Sequence, residues 1–157
     1  MLGWAAVIVC SAAAAFVVAG PANVWVEHSL FGGWPDWWKP HLGTDGGYSD
    51  TALLWTAVLL PTGSALVAAV LEEAYFRGYL LPRMPRSLGR TAPLVHTILF
   101  ALYHAWTPWL APARILAVLP LTYITVRTRS ILPANVAHIT LNVIDVIIIL
   151  AVVANPG

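Results

Sequence analysis

Charge is scarce in this chain. Of 157 residues only seven are Asp or Glu and eight are Lys or Arg, so 10% are charged, where a soluble domain carries roughly a quarter. So few polar groups cannot coat a water-exposed surface, which excludes an ordinary soluble enzyme. The basic residues form no stripe and no basic-aromatic stretch, which excludes nucleic acid as a partner. The one cysteine, Cys10, sits in an apolar run and has no second thiol for an internal disulfide. Internal repeats and low-complexity linkers are also missing, which leaves a single membrane domain over residues 1–157.

What is present is apolar: 59% of the residues are hydrophobic and mean hydropathy is +0.77. A bilayer core about 30 Å thick takes roughly 20 apolar residues as helix. Leu2 to Gly20, Thr51 to Leu81, Ala92 to Trp109, Ala113 to Val126 and Ile131 to Ala154 qualify or nearly qualify. The expected fold is therefore all-α, a polytopic integral membrane bundle of about five helices. The fourth stretch is the shortest and contains Pro120, which suits a re-entrant or broken helix. The first lacks a basic flank and is followed at once by Pro21, so it reads as a retained helix rather than a cleaved leader.

Flanking charge sets the expected orientation. The connection from Pro21 to Asp50 holds Glu27, Asp36, Asp45 and Asp50 against Lys39, while Arg83, Arg86 and Arg90 follow the second stretch and Arg127 and Arg129 the fourth. Basic loops stay inside. The amino terminus and the Arg-rich loops are then cytoplasmic, the carboxyl terminus is outside, and the expected location is the plasma membrane. Trp34, Trp37 and Trp38 in the acidic connection suit headgroup-level anchors.

Ionisable groups within a bilayer cost several kcal/mol, by estimates from about 2.5 upward, and are functional candidates by default. They are Glu72, Glu73 and Arg77 in the second stretch, His96 and His104 in the third, and His138 and Asp145 in the fifth, with the amides of Asn135 and Asn142. Glu73 and Arg77 are four apart with the acid first, the favourable helical order for a pair. Glu72 points about 100° away, and a carboxyl in an apolar site beside a carboxylate is suited to general-base work. At about 1.5 Å per residue, Glu72, His104, His138 and Asn142 fall in one layer near mid-membrane. His138 and Asn142 share one helix face, as do Phe100 and His104. His96 suits a core histidine bonded to a backbone carbonyl as well as it suits a site.

Glu-Glu-x-x-x-Arg at Glu72, Glu73 and Arg77, Phe-x-x-x-His at Phe100 and His104, and His-x-x-x-Asn at His138 and Asn142 follow one another on successive helices. In this the chain resembles the CPBP group of intramembrane endopeptidases, which includes the CAAX prenyl endopeptidases and bacterial bacteriocin-processing and self-immunity relatives. The resemblance covers about residues 66–150. It implies a glutamic, metal-independent hydrolase in which Glu72 activates water, His104 helps hold that water, and His138 with Asn142 binds the oxyanion. Glu73, Arg77 and Phe100 then support the site. No cofactor is implied, and the implied partners are the lipid bilayer and a membrane-associated peptide or protein substrate, lipidated or not.

Other chemistries compete with this reading. Glu72, His104 and His138 are a conceivable zinc set, although no His-Glu-x-x-His occurs. A rhomboid-like serine peptidase needs its nucleophile after the His/Asn element, whereas Ser64 precedes it, and Ser64 after Pro61 suits relief of a proline kink. An aspartyl intramembrane peptidase needs a second membrane aspartate beside Asp145. Outside enzymes, a noncatalytic immunity or assembly protein and an ion path remain open.

Overall fold

A computed structural model describes residues 2–35 and 49–154. Among these residues the chain is all-helical, with no strand. Helix α1 spans Leu2–Phe31. The second helix starts as α2 (Asp50–Leu59), widens to π geometry over Leu60–Ala68, returns to one α turn as α3 (Ala69–Glu72) and widens again over Glu73–Leu80. Short 3-10 turns over Leu81–Arg83 and Arg86–Thr91 lead to α4 (Ala92–Tyr103), and another over Pro108–Leu110 leads to α5 (Ala111–Thr128). Helix α6 spans Leu132–Ala154. Trp37, Trp38 and the charges Asp36, Lys39 and Asp45 lie outside the described residues.

The interior is built largely from small and polar groups with a few large apolar ones, Phe76, Phe100, Trp109 and Leu121, while many other large apolar side chains face outward. Ala12, Ala15 and Ala19 of α1 are buried, as are Ala113 and Ala117 of α5, Ala65 and Ala69 of the second helix, and Ala134 and Ala137 of α6. Ala12, Ala15 and Ala117 form one packed cluster with Leu141 against it, and α1 makes its most extensive contact with α5. Spacings of three and four residues between alanines place them on one face, so the helix backbones approach closely. The largest fully buried side chains include Arg77, His96, Glu73, Thr97 and Thr122, whereas Leu71 and Leu102 are more than 60% exposed. A core of charge and hydroxyl inside a coat of Leu, Val and Ile is the arrangement for lipid, where apolar residues gain nothing by facing one another.

Among the described residues two helical stretches are long and apolar enough to cross a bilayer, Trp55–Arg83 and Pro108–Thr128, and Leu132–Ile148 is a shorter apolar helix. The second of these corrects an expectation: the Pro120 stretch is not broken. Helix α5 runs through Pro120 from Ala111 to Thr128, because neighbouring helices and hydroxyls tolerate a proline inside a bundle. Its start is closed from outside, since the Asn23 side chain of α1 accepts a hydrogen bond from the Ala113 backbone N–H at 3.2 Å, doing for an orphan N–H what a local cap residue does.

Two boundaries also differ from the expected stretches. Helix α1 continues through Pro21 to Phe31, so the first third of the connection read as a loop is helix. The third stretch, expected to reach Trp109, is helical only to Tyr103, and His104 leaves helical geometry at φ −80 and ψ 54. At about 1.5 Å per residue its twelve residues rise about 18 Å, short of a full crossing. Pro108 follows four residues after His104, where it offers no N–H to a continuing helix, and Thr107 before it is out of helical geometry at φ −140 and ψ 62. Near Pro61, the hydroxyl that bonds back to the helix is that of Thr62, to the Val58 carbonyl at 2.8 Å; the Ser64 side chain lies outside what is described.

Candidate active site

The polar centre is assembled by the second helix, α4 and α6. Glu73 and Arg77 are fully buried and form an ion pair through Oε1 and Nη1, as their spacing predicts. They fall in the π-helical turn of Glu73–Leu80, a geometry the regular α spacing did not anticipate and one that recurs at functional sites. Phe100 of α4 lies against this pair, its ring centroid 5.1 Å from the Arg77 guanidinium carbon, a cation–π contact in a water-poor place. The same ring packs on His104 at 4.9 Å and on His138 at 6.0 Å between centroids. One aromatic thus sets the relative position of the cation and both imidazoles.

His138 joins α6 to both carboxylates. Its Nδ1 donates to Glu73 Oε1 at 2.8 Å, and its Nε2 lies 3.8 Å from Glu72 Oε2, an electrostatic contact too long for a hydrogen bond. Spacing along the chain pairs Glu73 with Arg77 and no other residue. That Glu73 also orients His138 follows only from how α6 packs on the second helix. Glu72 and His138 are each about 15% exposed at the side chain, against 0% for Glu73. Glu72 is therefore the reachable member of the acid pair.

His104 owes its geometry to the early end of α4. Its Nδ1–H donates to the Phe100 carbonyl at 2.9 Å, satisfying one of the acceptors a helix end leaves over. In the neutral ring, Nε2 is then an acceptor. His96 is different: it is fully buried, its Nε2–H donates to the Phe76 carbonyl at 2.8 Å, and its Nδ1 faces the Thr122 hydroxyl at 3.5 Å. It belongs to the core and ties the second helix to α4 and α5.

A cavity of about 170 Å³ is lined by residues that include Arg77, Phe100, His104, His138, Asn142, Arg114 and Asp145. Glu72 does not border it but contacts His138, which does. Arg114 is the residue the sequence reading missed. It binds the Thr107 carbonyl at 2.7 Å and the Thr107 hydroxyl at 2.6 Å, fixing the turn after α4 onto α5, and its charge acts on both Glu72 and Asp145. A cation in the first turn of an apolar helix was a sufficient signal for it. Among the described residues, no three His, Cys, Asp or Glu side chains are grouped so that they could hold a metal ion. Glu73 Oε2, Arg77 Nε and Nη2, and Asn135 Oδ1 are buried without a hydrogen-bond partner among the described residues.

Two imidazoles, an amide and a compensated cation around a small cavity, with a carboxylate reaching it through His138, can activate a nucleophile and stabilise a developing negative charge. A family model described as type II CAAX prenyl endopeptidase Rce1-like matches residues 51–144, which contain all of these groups except Asp145. Comparison with curated proteins and with solved structures returns no match.

Proposed function

The chain belongs to the type II CAAX prenyl endopeptidase Rce1-like family of membrane-embedded proteases, and from that premise we propose that it hydrolyses a peptide bond within the membrane through a water activated by Glu72. The observation that carries this reading is the position of His138, which touches both carboxylates and borders the cavity shared with His104 and Asn142. The Glu72 carboxylate takes a proton from water as the water oxygen bonds to the substrate carbonyl carbon. Collapse of the tetrahedral intermediate breaks the C–N bond, and Glu72 returns the proton to the leaving amine. His104 Nε2, left as an acceptor, holds the second hydrogen of the water.

The oxyanion is bound by the Asn142 amide and by His138. Because His138 Nδ1–H is committed to Glu73, the donor toward the oxyanion is Nε2–H. Glu73 orients the ring, and Arg77 holds Glu73 in place. No acyl-enzyme forms and no metal takes part. The substrate is a membrane-associated peptide or protein, lipidated or not. The protein is a five-helix plasma-membrane protein with its amino terminus and Arg-rich loops cytoplasmic and its carboxyl terminus outside. In that frame α4 rises from the inner face to site depth and stops there.

The test is peptide hydrolysis by the detergent-purified chain over a mixed panel that includes prenylated C-terminal peptides, with Glu72→Gln and chelator-treated samples beside it. Cleavage lost by about 10²–10⁴-fold in Glu72→Gln and unchanged by chelator is the expected result. Loss on chelation with recovery on adding zinc moves the mechanism to a metal. A well-folded chain that cuts nothing on the panel moves the reading to a noncatalytic membrane partner.

A further inference from the structure

A second cavity, of about 1150 Å³, lies at the opposite, Arg-rich end of the same helices, and its walls include Arg77, Arg90, Arg129, Leu81, Val126 and Ile131. It is bounded by the foot of the second helix, the 3-10 turn Arg86–Thr91, the start of α4 and the turn between α5 and α6. No Asp or Glu among its described lining residues offsets the arginines. Neither Arg90 nor Arg129 makes a side-chain hydrogen bond or ion pair among the described residues, while Arg77 carries two buried nitrogens with no partner.

The backbone is shaped around this cavity too. Both left-handed residues among the described residues, Gly89 (φ 50) and Arg129 (φ 51), line it. Arg129 ends α5 at a position where glycine is the ordinary choice, so a charged side chain stands where the backbone would accept none more easily. Arg90 and Arg129 are exposed and sit where the helices leave the apolar layer, while Leu81, Val126 and Ile131 offer hydrocarbon beside them.

Guanidinium groups over an apolar wall, at the level where a bilayer changes from chain to headgroup, match a ligand with a phosphate at one end and hydrocarbon at the other. We propose that this cavity is a binding site for an anionic phospholipid, with the headgroup phosphate on Arg90 and Arg129 and the first carbons of the acyl chains on Leu81, Val126 and Ile131. The site does not depend on the peptidase reading. Its volume far exceeds what a phosphate needs and lies just above the roughly 300–1,000 Å³ of ordinary small-molecule pockets, leaving room for hydrocarbon beside the phosphate.

Native mass spectrometry of the full chain in detergent, with phosphatidylglycerol or phosphatidylcholine added, tests this directly. The expected result is retention of one phosphatidylglycerol in preference to phosphatidylcholine. The Arg90→Gln/Arg129→Gln double variant should lose on the order of tenfold in that retention, while Arg86→Gln/Arg127→Gln, which removes the same charge from residues that do not line the cavity, keeps it. Circular dichroism of both double variants should match the wild type. Equal retention of the two lipids, or equal loss in the two double variants, overturns the proposal. Displacement of the lipid by excess inorganic phosphate also overturns it, assigning the site to a free anion.

Discussion

Glu72 and Glu73 are chemically identical neighbours, yet they occupy opposite situations. Glu73 is closed off: it has no exposed side-chain surface, pairs with Arg77 and receives the His138 Nδ1–H. Glu72 keeps about 15% of its side chain exposed and meets His138 only at 3.8 Å. Burying a compensated charge holds helices in register, and removing either partner leaves a costly isolated ion. A carboxylate in loose contact is free to exchange protons. One step along the chain thus separates the residue that builds the site from the residue available to act in it.

The sharpest way to break this contrast is to neutralise each acid in turn. Glu73→Gln should leave Arg77 uncompensated and destabilise the fold by about 3–5 kcal/mol. Glu72→Gln breaks no fully buried ion pair and should cost less than Glu73→Gln, while activity falls. Thermal unfolding in detergent reads both, and equal destabilisation by the two would erase the distinction. Next in size is Asn142→Ala, on the reachable side. Its kcat should fall by about 10²–10³-fold, the loss for one oxyanion donor, with helicity unchanged; a rise in KM alone would place Asn142 in binding instead.

His96→Leu extends the comparison to the histidines, because His96 is closed like Glu73. Removing it takes one of two donors from the Phe76 carbonyl, which keeps the Leu81 N–H, and should cost about 0.5–3 kcal/mol, with kcat per folded molecule kept. A selective loss of kcat at full stability would return His96 to the site. The smallest effect is expected for Asn23→Ala, far from both acids. It removes the borrowed cap of α5 at a cost of about 0.5–2 kcal/mol, read as a lowered Tm with activity unaltered.

Much of the site was legible because helix periodicity converts spacing into proximity. The Glu73–Arg77 pair follows from a separation of four, and the layer holding Glu72, His104, His138 and Asn142 follows from counting rise from the basic loops. Arg114, a cation within an apolar stretch, was equally legible. What spacing could not supply was rotation and termination. Whether α6 turns His138 toward Glu73 depends on how closely alanines let the helices approach. Whether α4 stops at Tyr103 depends on Pro108 together with a histidine ring able to satisfy the Phe100 carbonyl. The continuity of α5 through Pro120 depends on neighbours the local sequence does not contain.

By itself the sequence determined the solvent, the helical class and the short roster of polar groups able to do chemistry, because those follow from composition and from a periodicity every helix shares. Only the tertiary structure decided which carboxylate is sealed and which is reachable, that one histidine bridges both, and that a second cavity opens among the arginines at the other end. These are properties of the distances between helices, set by the small side chains on which they close and not by the polar residues they bring together.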